Sequence, residues 1–419
     1  MRQTARLTAA GLAMAAGIAA AAIMAQSRPR ARDLGIAPGI GTPGAENAIT
    51  DVAGVRVGHV TLVVGDRVRT GVTAIVPHGG NVFREKVPGA VFVGNAFGKL
   101  AGSTQVEELG TIETPIVLTN TLSVGAALDG LARWTVAQSG NENVRSVNGL
   151  VGETNDGSLN DIRGFHITAD HVAQAIASAR TGAVGEGAVG AGTGTTAFGW
   201  KGGIGTSSRR SGDWTVGVLV QTNYGGRLTI AGVPVWRELK PTSGTTGTTG
   251  TTGTTGPRNE LTLANIKDSK ESGLATARSA NLSYLSYPSY PSYQSASDGS
   301  CMIVVATDAP LDARDLKRLA ARAIFALART GSTYSNGSGD FAIAFSTHAA
   351  NRLTAGNGPQ ARTILPTDAV SGLFEAVLDA TEEAVYNSLL QATTTTANGR
   401  TVRAIPIDEL RNVLKKYGR

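Results

Sequence analysis

The chain has 419 residues, with 38 Lys and Arg against 32 Asp and Glu, 54 glycines and one cysteine. A surplus of six positive charges with no Lys/Arg run offers no stripe that could track phosphates, which argues against a nucleic-acid partner. The lone cysteine excludes an internal disulfide framework and a cysteine-based zinc site, and 41% apolar residues exclude wholesale disorder. Charged residues at 17%, against roughly 25% in ordinary soluble domains, together with the glycine content predict a large core with many tight turns.

Residues 1–25 (MRQTARLTAAGLAMAAGIAAAAIMA) begin with Arg2 and Arg6, continue as an Ala-rich apolar run and close on small residues, with Ala25 suited to the cleavage position. This is the layout of a secretory signal peptide. A retained anchor is the alternative, but the run is weakly hydrophobic for its borderline length. The mature protein is therefore expected to be periplasmic or secreted, with no stable membrane partner.

From residue 48 to about 234, short runs rich in Val, Ile and Leu are punctuated by glycine. Strands are predicted at 52–64, 72–76, 90–93, 115–118 and 216–222. Helices are predicted at 123–137, after a possible Ser cap, and at 168–180, entered through Thr168 and His171. Residues 240–299 differ: 244–256 repeat Gly-Thr-Thr and 284–293 repeat Ser-Tyr-Pro, a flexible linker by composition. Order resumes at Ser300. A strand is predicted at 301–307 (CMIVVAT), then an amphipathic helix at 312–329 closed by Gly331, a strand at 341–345, a long helix at 367–390 and a last helix at 407–417.

The junction Asp298-Gly299-Ser300-Cys301 lies where the linker meets a buried strand. Ser300 Oγ could attack the Gly299 carbonyl, where the absence of a Cβ allows strained backbone and opens the path. The resulting ester, once hydrolysed, would leave Ser300 with a hydroxyl and a free α-amine. An α-amine has an ordinary pKa of about 7.7–8.0, so it could activate that hydroxyl in place of a histidine. Gly-Ser before an apolar strand is also an ordinary loop-to-strand entry, and Cys301 is a rival nucleophile whose simpler reading is a small buried strand residue.

Five separated blocks settle the comparison: residues 47–62 (NAITDVAGVRVGHVTL), 152–164 (GETNDGSLNDIRG), 187–209 (GAVGAGTGTTAFGWKGGIGTSSR), 299–311 (GSCMIVVATDAPL) and 328–347 (ARTGSTYSNGSGDFAIAFST). In these the chain resembles the L-aminopeptidase/D-amidase-esterase family, which includes the β-aminopeptidases, from about Arg32 to the carboxy-terminal end. The resemblance implies an α/β fold, a four-layer αββα sandwich of the N-terminal-nucleophile hydrolase type. It implies self-cleavage between Gly299 and Ser300 into a large chain (26–299) and a small chain (300–419), and no cofactor or metal. It implies small peptide, amide or ester substrates with a free amino terminus, and a homo-oligomer of processed two-chain units. Residue by residue, Ser300 matches the nucleophile and Ser338 the second serine, which bridges toward a carboxylate. Asp340 matches that carboxylate, a Glu in some relatives; the shorter side chain could lengthen its bond to Ser338. Asn223 matches the amide of the oxyanion hole, and Glu153 an acidic residue near the substrate's amine.

There are departures. No tyrosine lies between Asn141 and Asn223 to supply a hydroxyl to the oxyanion hole, and Ser158 stands where a bulky aromatic is expected, which predicts a wider amino-acid pocket. Residues 190–205 lack the Gly-Lys-Ser/Thr ending of a phosphate loop and read as a glycine-rich turn that lets backbone approach the junction. His59 reads as structural, the acidic pairs 107–108 and 382–383 as solvated helix faces, and residues 155–157 as a turn. Two other functions stay open: an acyltransferase of the ornithine acetyltransferase type, against which Ser300 argues because those proteins use threonine, and a catalytically silent binding protein.

Overall fold

The structure, a computed structural model, describes residues 28–241, 244–245, 299–356 and 358–419. The leader at 1–25 and most of the linker at 240–299 lie outside the described residues. The strands are β1 (Arg56–Val64), β2 (Val68–Val76), β3 (Glu85–Ala96), β4 (Ile116–Asn120), β5 (Leu150–Thr154), β6 (Ile204–Ser211), β7 (Trp214–Asn223), β8 (Ser300–Thr307) and β9 (Gly339–Ser346), besides several two- and three-residue pieces. The main helices are α1 (Val124–Val136), α2 (Ala169–Ala177), α3 (Ala313–Thr330), α4 (Ser371–Leu390) and α5 (Ile407–Lys416).

Two sheets result. One runs β1-β2-β4-β5 and ends on Leu100–Ala101; the other runs β6-β7-β8-β9-β3, with Leu353–Thr354 beyond β3. Three apolar layers account for the stacking. Val72, Ala74, Val117 and Val151 meet Ala127, Leu131, Val172 and Ile176 of α1 and α2. Ile75, Ile116, Leu118 and Leu150 meet Leu219, Met302, Val304, Ile343 and Phe345 between the sheets. Val218, Ile303, Val305 and Ala342 meet α3 and α4 on the far side. Helix, sheet, sheet, helix is the αββα sandwich the resemblance implies.

The strand β8 shows how the sequence builds this. All eight of its residues are buried. Successive side chains leave a strand on opposite faces, so Cys301, Ile303 and Val305 pack toward the helices and Met302, Val304 and Ala306 between the sheets. A β-branched run with no polar face suits only this doubly covered central position. β8 pairs antiparallel with β7, Asn223 opposite Ser300, and parallel with β9, Ser300 opposite Gly339. Parallel neighbours need a crossover, which α3 supplies: Asp312 Oδ1 caps the Asp315 N–H at 2.9 Å, and Gly331 closes the helix at φ 98°. Leu316, Leu319, Ala323 and Leu327 form its buried stripe.

Three expectations change. β3 extends well beyond 90–93, and β5 and β6 were not foreseen. β6 (IGTSSRRS) carries no apolar run of the kind that marked the other strands, yet its polar side chains are used internally: Ser207 Oγ donates to Asn47 Oδ1 at 2.9 Å and Ser208 Oγ to Asp51 Oδ2 at 2.6 Å. Finally, Glu382 and Glu383 are not solvated. Glu383 is fully buried, 2.6 Å from the equally buried Arg209 and 3.1 Å from Arg32, while Glu382 accepts from Tyr386 Oη at 2.7 Å. The second half of α4 is covered on every side, so these two carboxylates are held by partners rather than by water.

Candidate active site

At one end of the sandwich, where the start of β8 meets the end of β5, lies a cleft of about 690 Å3 lined by Glu153, Asn155, Ser158, Thr196, Asn223, Gly299, Ser300 and Gly337, with Phe97, Lys99, Thr121 and Arg400 among the rest. The sheets touch beneath it. Gly152 leaves room for Met302, whose Sδ would be 2.8 Å from a Cβ at that position. Gln221 of β7 reaches across to Thr119 O at 3.1 Å and Thr154 Oγ1 at 2.9 Å in the other sheet.

Ser300 is 6% exposed and opens β8 at the cleft floor. The Gly339 N–H is shared: it donates to Gly299 O at 3.0 Å and approaches Ser300 Oγ at 3.3 Å. The carbonyl that Ser300 would attack therefore already has a backbone donor on its oxygen. The glycine at 299 is required by space: a Cβ would stand 2.0 Å from Asn223 O and 2.5 Å from Tyr224 Cα. Close packing against β7, rather than the freedom of backbone conformation predicted from sequence, is the constraint visible here.

Asn223 ends β7 directly opposite Ser300. Its Oδ1 accepts the Thr196 N–H at 3.0 Å, an assignment that fixes the amide and leaves Nδ2 as the donor free to serve the cleft. The glycine-rich segment thus approaches the junction as predicted, delivering Thr196. Glu153 is the last but one residue of β5, 2% exposed. Its Oε1 accepts the Lys99 N–H at 3.0 Å, its Oε2 takes the Thr121 hydroxyl, and Lys99 Nζ stands 3.7 Å away. It gives the cleft a buried carboxylate.

Ser338 and Asp340 do not line the cleft. They are buried behind Ser300, on the turn and strand that flank Gly339. Neither Ser338 Oγ nor either Asp340 oxygen has a partner in hydrogen-bond geometry. Burial pushes the Asp340 carboxyl up to about 6, while the nearby Ser338 hydroxyl and Cys301 N–H pull it back down. The Cys301 thiol is driven well above its ordinary value, first by burial and then by the Asp340 charge. A thiol held protonated is a poor nucleophile, so the choice between the adjacent residues falls on Ser300.

Of the residues singled out from sequence, the cleft brings together Glu153, Ser158, Asn223, Gly299 and Ser300, with Ser338 and Asp340 behind. Lys99, Thr121, Thr196 and the Gly339 N–H escaped notice. Thr196 lay inside a quoted block, but backbone donors and partners from a different strand leave no pattern in sequence. His59 is structural: Nδ1 bonds Thr73 Oγ1 at 2.9 Å, and burial pushes it down to about 4. Among the described residues no group of three or more His, Cys, Asp or Glu could hold a metal ion.

Comparison with known proteins agrees with this geometry. The model of Peptidase family S58 matches residues 47–402. The chain is 41% identical to the beta-peptidyl aminopeptidase BapA of Sphingosinicella microcystinivorans, over 97% of each chain. Among solved structures, a beta-aminopeptidase of Burkholderia sp. matches at 37% identity and TM-score 0.75, covering 93% of this chain and 99% of that one. The L-aminopeptidase D-Ala-esterase/amidase of Ochrobactrum anthropi, described as a prototype serine aminopeptidase with a variant Ntn hydrolase fold, matches at 34% identity and TM-score 0.75, covering 94% and 99%. A seryl hydroxyl at the head of a central strand, in an αββα sandwich whose sequence matches the family model over residues 47–402, has one reading: the chain belongs to peptidase family S58 and is a serine-type aminopeptidase on the N-terminal-nucleophile hydrolase fold.

Proposed function

We propose that the chain cuts itself between Gly299 and Ser300 and that Ser300 then releases the amino-terminal residue from short peptides, amides or esters. The observation that carries this is the shared Gly339 N–H, which places a donor on the Gly299 carbonyl oxygen with Ser300 Oγ beside it. In the first reaction Ser300 Oγ bonds to the Gly299 carbon and gives up its proton. The C–N bond breaks, the nitrogen takes a proton, and water hydrolyses the ester to a Gly299 carboxylate and a free Ser300 amine. In the second, Ser300 Oγ attacks the substrate carbonyl, the exposed α-amine serves as base with Ser338 and Asp340 as its relay, and the leaving amine carries the proton away. Water then frees the released amino acid. Asn223 Nδ2 would bind the oxyanion, a contribution of roughly 3–4 kcal/mol, and Glu153 would bind the substrate's ammonium, which needs a carboxylate once it leaves water.

The beta-peptidyl aminopeptidase and beta-aminopeptidase relatives support amino-terminal β-amino residues among the substrates, and Ser158 on the cleft wall supports a roomy side-chain pocket. The leader at 1–25 supports export to the periplasm or beyond, and the resemblance supports a homo-oligomer of two-chain units. Intact-mass analysis tests the core of the proposal. The purified protein should yield fragments meeting at Gly299–Ser300, and Ser300→Ala should remain whole. An active wild-type enzyme with an unbroken backbone there would refute it. Paired β-alanyl and L-alanyl amides, and small against bulky aminoacyl amides, read the substrate class; strict preference for alanine-sized residues would count against the wide pocket.

A further inference from the structure

Lys201 is a fully buried lysine that the reaction outlined above does not use. Lysine is almost never fully buried without a partner. Here Nζ faces three backbone carbonyls, Gly192 O at 2.9 Å, Thr195 O at 2.9 Å and Gly202 O at 2.8 Å. An ammonium has three protons, one for each of these acceptors; Gly192 O also takes the Thr195 hydroxyl at 3.1 Å and Thr195 O the Gly202 N–H at 3.3 Å, so it is the convergence of three carbonyl dipoles on one buried nitrogen that favours the charged form. Burial draws Lys201 down to about 7, and the charge of Asp156 pulls it back up. Asp156 is buried behind the cleft wall that Asn155 and Ser158 line, with its Cβ 2.9 Å from where a Cβ on Gly194 would be.

What these carbonyls belong to is the informative part. Thr195 O is one end of the Thr195–Thr196 peptide, and the N–H at the other end is the one held by Asn223 Oδ1. Gly202 O is one end of the Gly202–Gly203 peptide, and the Gly203 N–H donates to Thr222 Oγ1 at 3.2 Å, one residue before Asn223. A peptide is planar, with C=O and N–H opposed, so a cation on its oxygen strengthens the donor at its far end, and linked hydrogen bonds polarise one another in a low-dielectric interior.

We propose that Lys201 is a positioning residue for the oxyanion hole: its buried ammonium orients and polarises the Thr195–Thr196 peptide, whose N–H fixes the Asn223 amide with Nδ2 toward Ser300. This rests on the reading of Asn223 as oxyanion donor. The competing role for Lys201 is a fastener of the glycine-rich loop, with no bearing on turnover beyond folding.

The test is a double-variant cycle in the full-length chain: Lys201→Met, Asn223→Ala and the pair. The processed fraction is counted by intact mass, folding is checked by thermal unfolding, and kcat and KM are measured per processed site with an aminoacyl amide. Removal of one oxyanion-hole donor costs about 10²–10³ in kcat. Lys201→Met should forfeit part of that, roughly 10–100-fold, with KM within about twofold, and should add nothing once Asn223 is alanine. Where Lys201→Met fails to fold, or Asn223→Ala fails to process, Lys201→Gln is read against its parent, since it keeps donors but not the charge and should lose kcat with KM preserved. Parental kcat in the folded Lys201 variants overturns the relay. So does a Lys201→Met loss that persists in full beside Asn223→Ala. Parental kcat in Asn223→Ala alone instead removes the oxyanion reading, and the relay falls with it.

Discussion

Gly299→Ala adds one methyl group at the point where β7, β8 and the cleft converge. The new Cβ would lie 2.0 Å from Asn223 O and 2.5 Å from Tyr224 Cα, where real contacts essentially never fall below 3.0 Å. Both neighbours are backbone atoms of the adjoining strand, so no side-chain rotation relieves the clash and the chain at 299 must retreat by about 1 Å. Misplacement on that scale costs on the order of 100-fold in rate when a reaction depends on near-attack geometry, and overpacking adds about 1–3 kcal/mol of destabilisation. The Gly339 N–H also loses its hold on the displaced carbonyl. Freshly purified precursor followed by intact mass over time should therefore cleave at least ~100-fold more slowly while remaining folded. Gly125→Ala is the control. It lies in α1 with nothing within 4 Å of the added Cβ, so processing should be unchanged and stability should rise by about 0.5–1 kcal/mol. Wild-type cleavage by Gly299→Ala would refute the argument that packing against β7 sets the attack geometry.

Other outcomes follow from the same geometry. With Asp340 pushed up to about 6, kcat should fall as pH drops through that value, and Asp340→Asn should abolish the acidic limb. The group's folded pKa is raised, so the folded state holds its proton more tightly; its contribution to stability should be present below about pH 4 and decline as pH rises to about 6, a trend that thermal unfolding against pH would show and that Asp340→Asn should flatten. Glu153→Gln should reduce kcat/KM for substrates with a free amine by about 30-fold, from about 2 kcal/mol for a desolvated charge pair, leaving self-cleavage intact. Glu383→Gln leaves the Arg209 guanidinium buried without its carboxylate and should cost about 3–5 kcal/mol in chemical denaturation, whereas Arg209→Met with Glu383→Leu should recover most of the loss.

What could be read from the sequence follows the chemistry of each segment. β8 and α3 were legible because their residues leave no choice: a β-branched run buried on both faces, and an 18-residue helix with a cap at Asp312 and a stop at Gly331. β6 was not, because Thr206, Ser207 and Ser208 are inward-facing polar residues whose acceptors, Asn47 and Asp51 among them, lie some 150 residues earlier. The same blindness misplaced Glu382 and Glu383: two adjacent carboxylates on a helix look solvated until Arg32 and Arg209 arrive at Glu383 and Arg329 at Glu382. The site divides similarly. Ser300, Ser338, Asp340, Asn223 and Glu153 came through a resemblance carried by five blocks. The hydrogen bonds that orient them come from Thr196, Lys99, Thr121 and the Gly339 backbone, whose contribution is set by register and not by residue type.

Two buried charge systems in this molecule are built to different ends. Around Glu383 the buried acceptors are filled: Arg209, Arg32 and Asn47 all donate to it, and the cluster fastens residues 28–47 to β6 and α4. Around Ser300 the accounting is left open. Among the described residues Asp340 alone has both carboxylate oxygens buried without a hydrogen-bond partner, and Ser338 Oγ and Ser158 Oγ nearby are also unpaired. Native structures leave few such groups, each at a cost. The contrast is between the two carboxylates: Glu383 is occupied at both oxygens by Arg209, Arg32 and Asn47, whereas Asp340 has only the Ser338 hydroxyl and the Cys301 N–H nearby. Asp340 and Ser338 flank Gly339, whose N–H reaches Ser300 Oγ, so a loosely held carboxylate stands behind the hydroxyl whose proton has to move, and a partner that held it firmly would have to be displaced before that step.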